Sequence, residues 1–203
     1  MVEEALFGMG ILSVQSRHGF LTDIDGWKRS LTANIVVTTV CNKRCPNCCY
    51  AGIVRDGNPR HLSPERIADE VRLVGDVAIV YLLGGEITMH PEFERLLTLA
   101  RSARGRGKLM ISTNGFRLRE FEKQLWRIDG SMVTTSDRDH VDCGGGPRPC
   151  YRIRSTVGVR EGRVYPCCVA CGISDAPSTE LSDGWERRVL EVEAPCERCV
   201  FGT

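Results

Sequence analysis

Between Ala33 and Thr134 the apolar positions follow two alternating rhythms. Ala33–Val40, Val77–Leu83, Lys108–Thr113 and Ile128–Thr134 are short runs rich in apolar and β-branched residues, as in strands covered on both faces. The stretches between them repeat at helical spacing. Ser63 is an N-cap residue and Pro64 suits the first helical position, after which Ile67, Val71 and Val74 recur on one side. Pro91 opens a second helix with Phe93, Leu96, Leu97 and Ala100 on one face, and Leu118, Phe121 and Leu125 line a third. Strands and helices joined by short links imply right-handed βαβ crossovers and a parallel sheet. Ahead of this, residues 1–32 carry little pattern; Gly10–Gln15 and Gly19–Asp23 read as a short hairpin.

The alternation stops near Ser136, and Gly144-Gly145-Gly146-Pro147 is a linker-like break. Beyond it, Thr156–Arg160 and Arg163–Pro166 flank Glu161-Gly162, a two-residue hairpin signal. Six cysteines lie in the last 54 residues. The expected organisation is α/β: a parallel-sheet domain over 1–142, with an N-terminal extension over 1–32, and a small cysteine-rich β-hairpin lobe over 143–203. The C-terminal ends of the strands carry the polar and cysteine-bearing segments, and in parallel α/β architectures that edge does the chemistry.

Composition narrows the options. With 42% hydrophobic and 26% charged residues the chain is of the soluble globular kind, and its net charge of +1 favours neither nucleic acid nor an anionic membrane as partner. The basic run Arg101, Arg104, Arg106 and Lys108 falls where a helix ends and reads as a solvated, dipole-compatible terminus. No apolar stretch reaches membrane-spanning length, and the N-terminus, with Glu3 and Glu4, lacks signal-peptide order; a cytoplasmic, reducing location is the default expectation. In such a compartment 11 clustered cysteines point to metal ligation rather than disulfides.

Directly after the first strand comes Cys41-Asn-Lys-Arg-Cys45-Pro-Asn-Cys48-Cys49-Tyr50. Three thiolates on one loop leave one iron of a cubane cluster without a protein ligand, and catalytic metal sites keep such a position open. The competing reading is a zinc knuckle that takes its fourth ligand from Cys49 or elsewhere; zinc sites usually pair C-x2-C elements, whereas this triplet begins with x3. Cys41-x3-Cys45-x2-Cys48 after strand 1, with Gly84-Gly85-Glu86 after strand 2, resembles the radical S-adenosylmethionine (SAM) superfamily over roughly Ala33 to Ser136. That resemblance implies a [4Fe–4S] cluster on Cys41, Cys45 and Cys48 whose open iron chelates SAM. Reductive cleavage then gives methionine and a 5′-deoxyadenosyl radical that takes hydrogen from substrate. The family's usual aromatic before the third cysteine is Asn47 here, and Tyr50 is either its substitute or a core residue.

By the same resemblance, Gly84, Gly85 and Glu86 receive the SAM ammonium; Ser112, Thr113 and Asn114, ending strand 3, are placed to hydrogen-bond its ribose or carboxylate, and Ser136 and Asp137, ending strand 4, resemble the family's polar pair at that cofactor. Ordinary turn or cap roles account for each of these polar residues as well. Arg138, His140 and Asp142 either face substrate or form a solvated loop. The family's two further barrel strands with SAM motifs are not found, so the resemblance implies a truncated (β/α) partial TIM barrel over 1–142 with an open face for substrate.

The C-terminal cysteines resemble the twitch lobe of that superfamily, a shortened SPASM domain. The resemblance implies a second, auxiliary [4Fe–4S] cluster held by Cys150, Cys167, Cys196 and Cys199, with Cys168 or Cys171 as substitutes and Cys49 and Cys143 left over. Zinc on the same four residues would staple the lobe equally well. A fully ligated cluster serves most simply as an electron acceptor. The expected reaction is therefore oxidation of a sugar- or cyclitol-like small molecule, with a one-electron donor such as flavodoxin or ferredoxin. Modification of a ribosomal peptide, by crosslinking or epimerisation, is the alternative enzyme activity, and a zinc-stapled interaction module the non-enzymatic one. No catalytic base is identified; Arg152 and Arg154 are the candidates for orienting substrate.

Overall fold

A computed structural model of the chain describes residues 24–45, 48–133 and 155–192. Among these residues seven strands form one sheet, in the order β4-β3-β2-β1-β5-β6-β7. The first four are β1 (Thr32–Thr38), β2 (Ile79–Gly84), β3 (Lys108–Thr113) and β4 (Gly130–Val133), parallel throughout. These are the four strands expected from the sequence, with their ends shifted by a few residues. The open α/β sheet, parallel at its centre, agrees with the expected partial barrel.

One face of the sheet is covered by helices. In β1 the alternate residues Ala33, Ile35 and Val37 enter the main core, where they meet Val80 and Leu82 of β2, and Leu109 and Ile111 of β3. Helix α3 (Pro64–Val74) brings Ile67, Val71 and Val74; α4 (Phe93–Arg104) brings Phe93, Leu96, Leu97 and Ala100. Ser63 caps α3 by accepting a hydrogen bond from the Arg66 N–H at 3.3 Å, with Pro64 at the first position. Two members of the basic run, in the last turn of α4, are spent on structure. Arg101 donates to the carbonyls of Gly105 and Gly107 and to Asp129, while Arg104 donates to those of Gly75, Val77 and Lys108.

The third helix differs from expectation. Leu118–Arg127 is 3-10 in character and broken at Phe121 (φ −107°, ψ 15°). Three residues per turn eclipse Leu118 and Phe121 on one side, so both reach the core, and the Phe121 ring stands edge-on to Phe93 at 4.6 Å. A helix the sequence pattern did not show, α1 (Ile24–Ser30), precedes β1. Its signals are only Asp25 in the first turn and Lys28 and Arg29 in the last, which suit the helix dipole.

The expected hairpin forms as β5 (Thr156–Arg160) and β6 (Arg163–Tyr165), turning through Glu161 (φ +52°) and Gly162 (φ +77°), the two left-handed positions of a type I′ turn. It is part of the main sheet: β5 pairs with β1 in parallel, opposite β2. The short β7 (Thr179–Glu180) and α5 (Trp185–Glu191) follow, and Trp185 is fully buried with its indole N–H on the Leu73 carbonyl at 3.2 Å. On the opposite face a second core gathers Val36, Leu83, Tyr50, Ile53, Tyr165 and Cys171 around a one-turn helix, α2 (Ala51–Val54). The suggested hairpin over Gly10–Gln15 and Gly19–Asp23 lies outside the described residues.

Candidate active site

The cysteine loop leaves the C-terminal end of β1, where three strand ends are tied together. A Cβ on Gly84 would stand 2.1 Å from the Thr38 carbonyl oxygen, and one on Gly85 would stand 2.2 Å from that of Val40 and 3.1 Å from the Cys41 Cβ. Only glycine allows this approach. It is sealed by Gly85 N–H to Thr38 O at 2.8 Å and Glu86 N–H to Val40 O at 2.7 Å. The double glycine therefore seats the backbone that carries Cys41.

Glu86 is fully buried. Its Oε1 accepts from the Thr88 N–H (3.0 Å) and from the Thr88 and Thr113 hydroxyls (2.6 Å each), and its Oε2 accepts from the Asn114 N–H (2.6 Å). A buried carboxylate requires such a set of donors. Asn114 continues the chain of contacts. Its Oδ1 accepts from the Phe116 N–H (3.1 Å), while its Nδ2 donates to Asn42 Oδ1 (2.9 Å) and to the Cys41 sulfur (3.9 Å). The Lys43 N–H also points at that sulfur, at 3.4 Å.

Cys41, Cys45 and Cys48 are all half-buried and unpaired by disulfides. Burial pushes the Cys41 thiol up, and the Glu86 carboxylate and Cys45 add to the rise. Cys48 is raised by burial, with Cys45 and Cys41 reinforcing. Neighbouring thiolates that repel one another in a part-dry site need a positive group among them, and iron supplies it. The donor set thus suits a thiolate-held cluster. Among the described residues no three His, Cys, Asp or Glu side chains converge on the seat of a single ion.

The end of the loop docks elsewhere. Cys48 N–H returns to Cys45 O (3.3 Å), and the Arg55 guanidinium donates to the same carbonyl. Tyr50 is buried with its hydroxyl on Cys168 O at 3.2 Å, which makes it a core residue. A Cβ on Gly172 would stand 2.1 Å from Cys49 O, and the Ser174 hydroxyl donates to Gly52 O at 2.9 Å. The first cysteine loop is thus packed against the second cysteine run.

In that second run Cys167 is half-buried, with the Ala170 N–H on its sulfur at 3.4 Å. Cys171 is fully buried, donates to Cys168 O at 3.0 Å, and is held well above the ordinary thiol range by burial. A thiol so placed packs as a small apolar residue. Cys150, Cys196, Cys199 and Ser136, together with Arg138, His140, Asp142, Arg152 and Arg154, lie outside the described residues. Of the expected auxiliary set, the structure describes only Cys167. Ser112 is half-buried on β3, one residue before Thr113.

Sequence reasoning missed Thr88, whose signal is its spacing of two residues from Glu86, and it named Thr113 for SAM, whereas the Thr113 hydroxyl donates to Glu86 Oε1. It also missed Arg160, buried near the end of β5, which donates to the carbonyls of Cys171 (2.6 Å) and Ser174 (3.2 Å) and to the Tyr165 hydroxyl (2.8 Å). An open recess of about 630 Å³ lies beside it, lined by Arg163, Tyr165, Asp175 and Ser178 among others; none of the three loop cysteines lines it.

Comparison with known proteins agrees with this geometry. GTP 3′,8-cyclase of Stenotrophomonas maltophilia (strain R551-3) is 33% identical over 94 residues, 45% of this chain and 29% of that protein. The enzyme of the same name from Photorhabdus laumondii is 31% identical over 112 residues, 52% of this chain and 33% of that protein. The matched stretch spans about a third of those relatives' length. A solved structure of BtrN in an open conformation shares the fold, with a TM-score of 0.54 at 12% identity and 80% of each chain covered. The family model of the radical SAM superfamily matches residues 35–138, just over half of the chain. Strand order, cysteine loop and family match agree: the chain belongs to the radical SAM superfamily.

Proposed function

We propose that this enzyme cleaves SAM reductively and uses the resulting radical to oxidise a small, polar, sugar- or cyclitol-like molecule. The observation that carries the reading is the half-buried triplet Cys41, Cys45 and Cys48 at the exit of β1, with Cys41 seated on the Gly84-Gly85-Glu86 turn. The three thiolates would hold a [4Fe–4S] cluster that, with SAM bound, supplies a 5′-deoxyadenosyl radical.

The chain's own residues orient and shield. Because all four Glu86 hydrogen bonds are internal, the turn offers SAM its backbone rather than this carboxylate. Ser112 on β3, with Asn114 two residues on, is assigned to the polar groups of SAM, and so is Ser136, which lies outside the described residues. The buried core of Tyr50, Leu83 and Tyr165 keeps water from beneath the loop.

Residues 143–203 are assigned to an auxiliary lobe in which Cys150, Cys167, Cys196 and Cys199 hold a second cluster that accepts the substrate electron. Its support is the packing of Tyr50 and Cys49 against the Cys167–Ser174 segment, which gives the two cysteine runs a short connection. An external one-electron donor of the flavodoxin or ferredoxin kind would supply the first electron. The sequence relatives favour a second reading, a nucleotide substrate that is cyclised, since theirs is GTP.

The test is anaerobic reconstitution with iron, sulfide and reductant, then incubation with SAM. Release of 5′-deoxyadenosine with about eight irons per chain supports both clusters. Iron near four would confine the assignment to the first. Intact SAM under strong reductant would remove the reading altogether. Substrate-dependent 5′-deoxyadenosine with cyclitols, GTP or short peptides then separates the substrate classes.

A further inference from the structure

The Asn114 amide has a job that the turn chemistry of Asn-Gly does not require. Its orientation is fixed by its partners: the Phe116 backbone N–H can only donate, so the atom it meets at 3.1 Å is Oδ1. That leaves both Nδ2 hydrogens on the other side, and both have acceptors there, Asn42 Oδ1 at 2.9 Å and Cys41 Sγ at 3.9 Å. The Asn114 backbone is held in turn by Glu86, and Glu86 by Thr88 and Thr113. A side chain pinned at its oxygen, its backbone N–H and one amide hydrogen presents the other amide hydrogen to sulfur without freedom to turn away.

We propose that Asn114 is a positioning residue that sets the reduction potential of the cluster on Cys41 by donating an N–H to that thiolate. This rests on the assignment of Cys41, Cys45 and Cys48 to a [4Fe–4S] cluster. A hydrogen bond to a cluster sulfur stabilises the reduced, more negative state, so the amide raises the potential and makes the one-electron reduction easier. The Lys43 N–H at 3.4 Å acts in the same sense but belongs to the backbone, so Asn114 is the adjustable part. Through it the Glu86 network reaches the metal site.

Asn114→Asp tests this with the turn preserved: a carboxylate still accepts from Phe116 N–H but offers Cys41 no donor and adds negative charge. Asn114→Leu removes donor and acceptor at similar volume. Both are reconstituted anaerobically and titrated against redox mediators, with the reduced cluster read by electron paramagnetic resonance. The ratio of reduced to oxidised cluster at a fixed poise should fall about threefold in Asn114→Leu, the worth of one modest hydrogen bond. It should fall about tenfold in Asn114→Asp, equivalent to about 59 mV for a one-electron couple. Asn42→Ala, which keeps the sulfur donor, should leave the ratio within about twofold.

A loaded Asn114→Asp cluster whose ratio matches wild type overturns the proposal. Failure of both Asn114 variants to load iron also overturns it, because Asn114 then serves assembly instead of potential. Failure of the wild-type protein to load a SAM-cleaving cluster marks the separate collapse of the functional assignment.

Discussion

Glu70 is a carboxylate in the wrong solvent, and changing it should reshape how stability depends on pH. It projects from α3 with no exposed surface. Its Oε1 accepts from the Gly162 N–H at 2.6 Å and lies 3.5 Å from the half-exposed Arg66 guanidinium. Its Oε2 has no hydrogen-bond partner among the described residues. Burial pushes the group from its ordinary 4.5 to about 7, against the opposing pull of the Gly162 N–H and Arg66. The folded state therefore holds a proton that the unfolded chain releases between pH 4.5 and about 7. Stability contributed by this site is greatest at the acid end of that window and falls as pH rises through it. The gap corresponds to about 3 kcal/mol lost by pH 8.

Glu70→Gln keeps an oxygen for Gly162 and has nothing to ionise. The variant should match wild type near pH 5 and exceed it by about 2–3 kcal/mol at pH 8. Urea unfolding of the apoprotein at half-unit pH steps measures this, read as the difference between the two proteins. The difference matters because His61 and His90 titrate nearby with the opposite sign. Burial lowers both, so their contribution grows as pH rises, equally in both proteins. His90 is committed to the neutral form, accepting from the Glu92 N–H and donating to Leu62 O. A flat difference between pH 5 and 8, or a Gln variant weaker than wild type at pH 8, would refute the assignment of an uncompensated charge at Glu70.

Three further outcomes are expected. Gly85→Ala forces a Cβ to within 2.2 Å of Val40 O, so stability should fall by about 3 kcal/mol and iron uptake by the Cys41 loop with it; unchanged iron content would count against the seating role of the glycines. Cys171→Ala should cost about 1–2 kcal/mol yet leave iron per chain at the wild-type value, whereas Cys41→Ala should lower it; loss of iron in Cys171→Ala would make that buried thiol a ligand. Arg160→Met removes the donors held by Cys171 O, Ser174 O and the Tyr165 hydroxyl, and should cost about 3 kcal/mol in urea unfolding; a loss under about 1 kcal/mol would show that those carbonyls find other donors.

Local signals carried much of this architecture. Ser63-Pro64, the apolar faces of α3 and α4, and the left-handed pair Glu161-Gly162 each act within a few residues, and each formed as its chemistry dictates. Non-local outcomes were not legible. Nothing in Thr156–Arg160 says that it pairs with β1 rather than standing apart, because a parallel neighbour is chosen by tertiary packing. The edge-on contact between Phe121 and the Phe93 ring joins positions 28 apart, beyond the reach of local signals. Tyr50 allowed two readings until Cys168 O was found against its hydroxyl.

The Gly84-Gly85-Glu86 motif illustrates why a site can be legible while the reason for it is not. Read along the chain, small residues beside an acid suggest a surface made for a ligand. Folded, the glycines meet the β1 exit and the acid faces inward to Thr88, Thr113 and Asn114. The motif thus joins the ends of β1, β2 and β3 into one rigid piece, and Cys41 rides on it. Cys48 is held by other means, through Tyr50 and α2 against the Cys167–Ser174 segment. Two anchors with no shared side chain position opposite ends of one eight-residue loop. A cluster bound there would be gripped from two directions, its Cys41 corner answering to the strand ends and its Cys48 corner to the second cysteine run.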